Sequence, residues 1–215
     1  MSGAPTQGED APFSLVDRLR RWFDAVVGGT ALVVAAPVLA LAAGATLLSS
    51  GRPVIYRQKR LGRGGHPFEL LKFRTMRDPA PGREAPEFDA ERITRVGSWM
   101  RSTSLDELPS LVNLVRGDIG LVGPRPLPIH YWDRFRGDEY ERFHVRPGIT
   151  GLAQINGRNQ LAWSERLAAD VDYVRSRSLI GDARIVMKTI PIVLSRAGVD
   201  EGEGVTMTEL PPDRA

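Results

Sequence analysis

The chain has 215 residues, 42% of them hydrophobic and 26% charged. This length and composition favour one folded domain with a hydrophobic core and argue against a disordered chain. Its net charge of +3 suits anionic partners such as phosphates, lipid head groups or nucleic acid without choosing among them. The absence of cysteine excludes disulfide bonds, thiolate metal sites and a cysteine nucleophile.

The chain opens with a polar tail followed by an amphipathic segment. Residues 1–12, MSGAPTQGEDAP, have the composition of a loop, which predicts a flexible N-terminus. In the segment that follows, apolar side chains recur at near-helical spacing opposite a basic face, which predicts a helix lying in a membrane interface. These apolar residues are Phe13, Leu15, Val16, Leu19, Trp22 and Phe23.

Residues 25–51 contain no charged side chain, and their composition is typical of a membrane segment. A straight helix over residues 25–48 would rise about 36 Å, against a hydrocarbon core of roughly 30 Å. Length therefore permits a span. Pro37, however, lies in the middle, where proline removes a helical hydrogen bond and bends or breaks the helix.

The basic residues that flank this segment favour the same side of the membrane. Arginines precede it at 18–21, arginines and a lysine follow it at 52–60, and basic flanks prefer the cytoplasmic side. We therefore predict that residues 13–51 form an interfacial and re-entrant membrane helix, broken at Pro37, that enters one leaflet and returns. The remainder of the chain would then lie on the cytoplasmic face of the membrane.

Three other interpretations of the apolar segment stay open. It could be a straight single span, or a cleaved signal peptide with RLRR as its basic region and Ala40 and Ala42 mimicking a cleavage site. It could also be a buried core helix, although nothing later in the chain is apolar enough to surround it.

Residues 52–198 are predicted to form a cytoplasmic catalytic domain, and residues 199–215 are predicted to form a peripheral C-terminal tail. PVIYRQKRL and HPFELLKFRTM, separated by GRGG at 62–65, predict a β-hairpin, and the proline-rich charged stretch at 77–91 predicts a loop near the membrane. The expected fold class is α+β, mostly helical, with amphipathic helices packed at the membrane interface.

Two helices are predicted near the C-terminus. The first carries an apolar stripe at i, i+4, i+8 and i+11, formed by Trp163, Leu167, Val171 and Val174. The second, at 184–196, is apolar nearly all round. It fits a core helix and a helix in the membrane interface equally well.

The adjacent acids Asp106 and Glu107 precede an apolar run and allow a purely structural interpretation. Ser104 followed by Glu107 matches a capping box, and Asp106 would lie in the first helical turn, where negative charge is favourable. Pro109 weakens this interpretation because its ring opposes the carbonyl of Leu105, so the helix start is either distorted or displaced.

A functional interpretation of the two acids draws on their surroundings. An apolar face of Leu108, Leu111, Val112 and Val115 predicts that the acids project away from the core. Two such carboxylates could hold Mg2+ together with substrate phosphates, or one could be a nucleophile toward a phosphoryl group. Phosphates also require cations, and the candidates are Lys72, Arg74, Arg101, Arg116, Arg125, Arg146 and Arg158.

Three motifs in order resemble those of the bacterial sugar transferase family, the monotopic polyprenyl-phosphate phosphoglycosyl transferases. They are KFRTM at 72–76, RSTSLDELPSLVNLVRGDIGLVGPRP at 101–126 and RPGITGLAQINGR at 146–158. The resemblance runs from about residue 17 to about residue 208. Within the family, the length and the GVTMTEL ending are similar to those of the small transferases that load N,N'-diacetylbacillosamine phosphate.

The resemblance implies transfer of a sugar 1-phosphate from a UDP-sugar to polyprenyl (undecaprenyl) phosphate, through a covalent phospho-sugar on Asp106. Glu107 matches the dyad member associated with Mg2+. Lys72, Arg101 and Arg125 match basic positions of the site. Further substrate-binding positions matched by the motifs are Arg146, Gln154, Asn156, Arg158 and Asp170.

One departure from the family concerns the membrane kink. The usual Ser-Pro pair is replaced by Ala36-Pro37, which lacks a hydroxyl able to bond a freed carbonyl. The expected partners are a UDP-sugar, undecaprenyl phosphate and the lipid bilayer, with no nucleic acid, because the few aromatic residues are not interleaved with the arginines. The alternatives are a membrane-bound lipid diphosphate phosphatase and a non-catalytic basic membrane scaffold.

Overall fold

The computed structural model describes residues 14–82, 88–157, 161–194 and 209–212, so the predicted tail at 1–12 and Arg158 lie outside the described residues. The helices are α1 (Leu15–Ser50), α2 (Asp89–Arg92), α3 (Arg95–Ser102), α4 (Leu111–Arg116), α5 (Leu152–Ile155), α6 (Trp163–Ser176) and α7 (Leu179–Leu194). The strands are β1 (Ile55–Leu61), β2 (Pro67–Phe73), β3 (Gly120–Val122) and β4 (Gly148–Thr150). The predicted α+β, mostly helical fold is confirmed.

Helix α1 begins with a reciprocal cap. The Ser14 hydroxyl accepts a hydrogen bond from the Asp17 backbone N–H at 3.1 Å, and the Asp17 carboxylate accepts one from the Ser14 backbone N–H at 3.1 Å. In the part of the chain that the structure describes, α1 is the one helix long and apolar enough to cross a membrane. Only 11% of its most apolar window is buried within the protein, which indicates membrane association.

Pro37 lies inside α1, which continues as helix on both sides of it. The structure therefore has one helix from Leu15 to Ser50 where the sequence predicted two halves separated by a break. The physical reason is that proline removes only its own N–H donor, while the turns on either side keep their hydrogen bonds. A bend at Pro37 would thus be a kink within a continuous helix.

Both ends of α1 contact the rest of the protein. Gly28 lies so close to Leu114 of α4 that an added Cβ would come within 3.1 Å of that side chain. Near the other end, Ala42 packs in a buried cluster with Phe73 of β2 and Met100 of α3. The stretch between these two contact regions carries exposed apolar side chains such as Val33 and Val34.

The predicted hairpin is confirmed, because β1 and β2 pair antiparallel with Leu61 opposite Pro67 and Ile55 opposite Phe73. A short turn at Arg63–Gly65 connects them, with Gly64 and Gly65 at φ of 62° and 75°, a region that favours glycine. β3 and β4 form a separate parallel pair in which Gly120 lies opposite Gly148.

The largest described core cluster lies beside the hairpin. It consists of Leu61, Leu127, Tyr131, Phe135, Phe143, Leu167 and Leu210. Leu210 is completely buried, and its carbonyl accepts a hydrogen bond from Arg134 at 2.5 Å. At this point the C-terminal segment is part of the core, which corrects the prediction of a peripheral tail for all of 199–215. An isolated leucine among polar residues gave no periodic signal for this docking.

Both predicted C-terminal helices are present, although α7 begins at Leu179 and not at the predicted residue 184. In α6 the predicted stripe faces inward, with Leu167 and Val171 buried. Helix α7 buries Ile185 but exposes a row of apolar side chains, which are Leu179, Ile180, Met187 and Ile190. This exposure favours the interfacial alternative for α7 over the core alternative.

Candidate active site

The two acids lie in a 3₁₀ helix at Leu105–Ser110, directly before α4. Ser104 adopts the left-handed conformation with φ of 57°, and its side chain makes no cap hydrogen bond, so the predicted capping box is wrong. Pro109 explains the difference: it cannot donate to a preceding carbonyl, and regular α-helix begins only at Leu111. The predicted distortion of the helix start is confirmed.

Asp106 does not point away from the core as predicted, whereas Glu107 remains partly exposed. Asp106 is only 9% exposed, and Ser110 and Asn113 on the same side are also buried, because this side packs against the hairpin. The Asn113 side chain makes two hydrogen bonds to backbone groups of strand β2. Its Oδ1 accepts from the Leu71 N–H at 3.0 Å, and its Nδ2 donates to the Glu69 carbonyl at 2.7 Å. The polar face of this segment is thus an internal surface.

Glu107 is held by two cations from different parts of the fold. Its Oε1 lies 2.7 Å from Lys72 Nζ on β2 and 3.2 Å from an Arg125 guanidinium nitrogen in the segment after β3. The nearby Lys72 charge, followed by that of Arg125, holds the pKa of Glu107 far below its usual range against the opposing effect of burial. Glu107 is therefore a fixed carboxylate.

The pKa of Asp106 is shifted in the opposite direction. Burial raises the pKa of its carboxyl to about 6, the Glu107 charge adds to this rise, and the charges of Lys72 and Arg101 lower it only in part. Two neighbouring acids therefore have pKa values displaced in opposite directions, a pattern that separates a fixed charge from a chemically reactive group.

Arg101 joins this site from the last turn of α3. Its Nε donates to the Thr75 hydroxyl at 2.9 Å, which ties α3 to the end of the KFRTM motif. The Arg101 charge also lowers the pKa of Asp106, so Arg101 contributes to the electrostatics of the site.

Arg60 is a residue of the site that the sequence analysis missed. It lines a small cleft with Lys72, Glu107 and Arg125. Burial and the neighbouring Arg125 charge lower the pKa of Arg60 to about 10. The hairpin register provides a signal that could have found it: Arg60 pairs with Phe68, and residues 68, 70 and 72 share a face of β2, so Arg60 lies on the same face as Lys72.

Two of the predicted substrate-binding residues lie in buried ion pairs. Arg146 pairs with Asp24 of α1 at 2.9 Å, and Asp170 pairs with Arg142 at 2.8 Å with both side chains almost fully buried. Arg142 also donates to the Arg125 carbonyl at 2.8 Å, so the second pair supports the segment that carries Arg125.

The remaining predicted residues are in or after α5. Gln154 is half-buried, and its side-chain amide nitrogen and oxygen are buried without a hydrogen-bond partner among the described residues. Asn156 ends α5, and Arg158 falls outside the described residues. The structure thus brings Lys72, Arg101 and Arg125 together with the two acids, and it places Arg146 and Asp170 in other contacts.

The site offers limited but suitable donors for a divalent cation. Among the described residues no group of three or more histidines or acids could hold a metal, so an all-protein metal cage is not formed there. Mg2+, however, commonly uses one or two carboxylates and takes its other ligands from phosphates and water. Asp106 and Glu107 fit that donor set because only Oε1 of Glu107 is engaged by Lys72 and Arg125.

Comparison with known proteins assigns the class. The family model for bacterial sugar transferases matches residues 15–196, which include α1, the hairpin and both acids. The chain therefore belongs to the bacterial sugar transferase family and is an enzyme of that class. The resemblance stated from the three motifs is confirmed.

Individual relatives support the same assignment over most of this chain. The chain is 41% identical over 198 residues to the UDP-glucose:undecaprenyl-phosphate glucose-1-phosphate transferase of Caulobacter vibrioides, covering 87% of this chain and 74% of that protein. It is 38% identical over 188 residues to the sugar transferase EpsL of Bacillus subtilis, covering 87% and 93%. It is also 39% identical to the UDP-galactose-lipid carrier transferase of Erwinia amylovora, covering 84% of this chain and 41% of that longer protein.

Proposed function

We propose that this enzyme transfers a sugar 1-phosphate from a UDP-sugar to undecaprenyl phosphate, giving undecaprenyl diphosphate sugar and UMP, as the first membrane step of glycoconjugate assembly. The observation that carries the proposal is the pair of adjacent carboxylates with opposite pKa displacements beside three cations: Asp106 raised, Glu107 lowered, and Lys72, Arg125 and Arg60 around them. Relatives named for undecaprenyl-phosphate sugar transfer support the substrate class.

The proposed reaction has two displacement steps at the same phosphorus atom. In the first, a carboxylate oxygen of Asp106 bonds to the β-phosphorus of the UDP-sugar, and the bond from that phosphorus to the bridging oxygen breaks to release UMP. In the second, a phosphate oxygen of undecaprenyl phosphate attacks the same phosphorus and displaces the Asp106 carboxylate. The enzyme returns to its starting state.

The neighbouring charges suit these steps. A carboxylate with a pKa near 6 is ionised at neutral pH and is a better nucleophile than one held by tight ion pairs. Lys72, Arg125 and Arg60 line one cleft together with Glu107, the neighbour of Asp106 in the chain, and would neutralise the diphosphate oxygens. The ion pairs of Glu107 keep Lys72 and Arg125 aimed at this position.

Mg2+ is the proposed cofactor, with Glu107 as its principal protein ligand and Asp106 beside it. When bound, the cation would stabilise negative charge on the diphosphate and on departing UMP. The unengaged oxygen of Glu107 is the available donor, since its other oxygen accepts from Lys72 and Arg125.

We further propose that α1 is re-entrant, so the enzyme is monotopic with its catalytic domain on the cytoplasmic face. The support is geometric. Gly28 and Leu39 both pack against the same domain, and the residues between them, 29–38, would rise only about 15 Å, half of a roughly 30 Å hydrocarbon core. A helix with both contact regions on one domain suits a return to the same side, where the lipid phosphate and the soluble nucleotide sugar meet.

The test is UMP release from the full chain in lipid nanodiscs with Mg2+ and undecaprenyl phosphate, screened across UDP-glucose, UDP-galactose and UDP-N-acetylated amino sugars. We expect one sugar class to release UMP and, in the absence of acceptor, to add one phospho-sugar mass to the protein. Asp106→Asn should abolish both signals, while the matched control Asp172→Asn, at an exposed acid on α6, should keep them. Release of phosphate from a lipid diphosphate without any nucleotide sugar would instead identify a phosphatase.

A further inference from the structure

A second cleft lies away from the two acids, where the C-terminal end of α1 meets the segment that leads into α3. It has a volume of about 380 Å³, within the range of ligand-binding pockets. Leu48 and Ser49 of α1 line one wall, and Arg77, Arg92 and Arg95 are among the residues that line the other. None of these residues belongs to the proposed catalytic machinery.

The charges of this cleft favour an anion. Arg92 is paired with Asp89, whereas Arg77 and Arg95 are exposed and form no ion pair with any described residue. Among the described residues that line the cleft, Glu91 is the one acid. Counting Asp89 with the lining residues, three arginines and two acids leave one net positive charge at the cleft. The exposed guanidinium groups of Arg77 and Arg95 are of a kind that binds phosphate oxygens.

The apolar side of the cleft indicates where that anion would come from. Leu48 lies in the last turn of α1 and is 90% exposed, so it belongs to the apolar surface of the membrane helix. Trp99 lies one turn after Arg95 on α3 and is 55% exposed, a side chain type that favours the head-group region of a bilayer. An acyl-chain surface and arginines therefore meet at one cleft.

We propose that this cleft binds the phosphodiester head group of an anionic bilayer phospholipid, with Arg77 and Arg95 on the phosphate and Leu48 beside the acyl chains. The proposal rests on the membrane association of α1 and goes beyond the transfer reaction. Such a lipid would fix the depth of α3, and thereby of Arg101 at its end, relative to the bilayer surface.

The test uses Trp99 as a local reporter in the full chain, reconstituted into nanodiscs of phosphatidylcholine with a minority of phosphatidylglycerol. Trp22, which is exposed on α1, is replaced by phenylalanine, and a further Trp99→Phe variant measures the background from the other tryptophans. Fluorescence quenching by brominated phosphatidylglycerol is compared with quenching by brominated phosphatidylcholine. We expect phosphatidylglycerol to quench Trp99 well beyond its mole fraction.

The Arg77→Gln/Arg95→Gln variant should lower this preference on the order of tenfold. A matched control, Arg57→Gln/Lys59→Gln, removes two exposed charges from β1 and should keep the preference. Quenching in proportion to mole fraction, or equal loss in both double variants, would overturn the proposal. Loss of the preference on adding inorganic phosphate at constant ionic strength would also overturn it and identify a site for a soluble phosphate.

UMP release, measured on the same nanodiscs, separates this proposal from the proposed function. If phosphatidylglycerol shows no preferential quenching of Trp99 while UMP release persists, only the proposed lipid site is overturned. Lipid preference in a chain that releases no UMP from any UDP-sugar supports the cleft and counts against the transfer reaction.

Discussion

Lys72 Nζ lies 2.7 Å from Glu107 Oε1, while the adjacent Asp106 is buried without a comparable ion pair in the described structure. These two adjacent carboxyl groups therefore differ: cations hold Glu107 ionised, whereas burial raises the pKa of Asp106 to about 6.

The carboxyl of Asp106 should titrate with a pKa near 6 in the metal-free, substrate-free protein, well above the 3.8 of an unperturbed aspartate. Glu107→Gln removes a charge that raises this pKa and should therefore lower it. The measurement is the aspartate carboxyl 13C shift, identified by difference against Asp106→Asn. A titration of Asp106 near pH 4 in the unaltered chain would contradict the assignment.

The same pKa shift has a consequence for stability. Because the folded-state pKa of Asp106 lies above its unfolded value, the folded protein holds this proton more tightly than the unfolded chain. This contribution to stability is present below about pH 4 and is lost as the pH rises through about 6. Asp106→Asn should flatten the pH dependence of unfolding across that window, and an unchanged dependence would count against it.

Arg60→Met should raise KM for the UDP-sugar about tenfold or more, because it removes one of three cations that line the cleft. Steady-state UMP release at varied UDP-sugar concentration measures the effect. Arg57→Met, an exposed arginine on the same strand, is the control and should leave KM within about twofold. Equal effects of the two changes would remove Arg60 from the site.

Asn113→Leu should lower the free energy of unfolding by about 2 to 4 kcal/mol, because it leaves the buried Leu71 N–H and Glu69 carbonyl of β2 without partners. Thermal unfolding in neutral detergent measures the loss. Ser164→Ala, an exposed position on α6, should unfold with the unaltered chain. A stability unchanged by Asn113→Leu would mean that β2 finds other partners.

The ion pair between Asp24 and Arg146 should couple α1 to the catalytic domain. Each single change, Asp24→Asn or Arg146→Gln, leaves the other charge buried without its partner, so the double variant should be less destabilised than the sum of the two by about 1 kcal/mol or more. The same cycle at the exposed pair Arg57–Glu69 is the control and should give almost no coupling. Additive effects at Asp24 and Arg146 would show that the pair does not join the two parts.

The re-entrant topology predicts that both flanks of α1 lie on one side of the membrane. Because the chain has no cysteine, Arg18→Cys and Arg52→Cys introduce single labelling sites on either side of the apolar segment. In sealed vesicles an impermeant maleimide should label both positions from the same side. Labelling from opposite sides would establish a span.

The sequence by itself determined the membrane helix, the hairpin and the two C-terminal helices, and it marked the candidate site residues. The uncharged run at 25–51, the two alternating segments around GRGG and the stripe from Trp163 to Val174 are local patterns, and each corresponds to a helix or hairpin in the structure. The break predicted at Pro37 is the exception, because α1 is continuous there. The motifs likewise identified Asp106, Glu107, Lys72 and Arg125 before any contact among them was known, because side-chain chemistry is local information.

Only the tertiary structure decided how those residues divide their tasks. Lys72 is 35 residues from Glu107 in the chain, and Arg125 is 18 residues from it, so the ion pairs that fix Glu107 arise from packing of β2 and the segment after β3 around the 3₁₀ helix. The same packing buries Asp106 and places Arg60 in the cleft through the hairpin register. It also pairs Arg146 with Asp24 of α1. Burial and charge proximity depend on long-range contacts, and these contacts leave no periodic mark in the sequence.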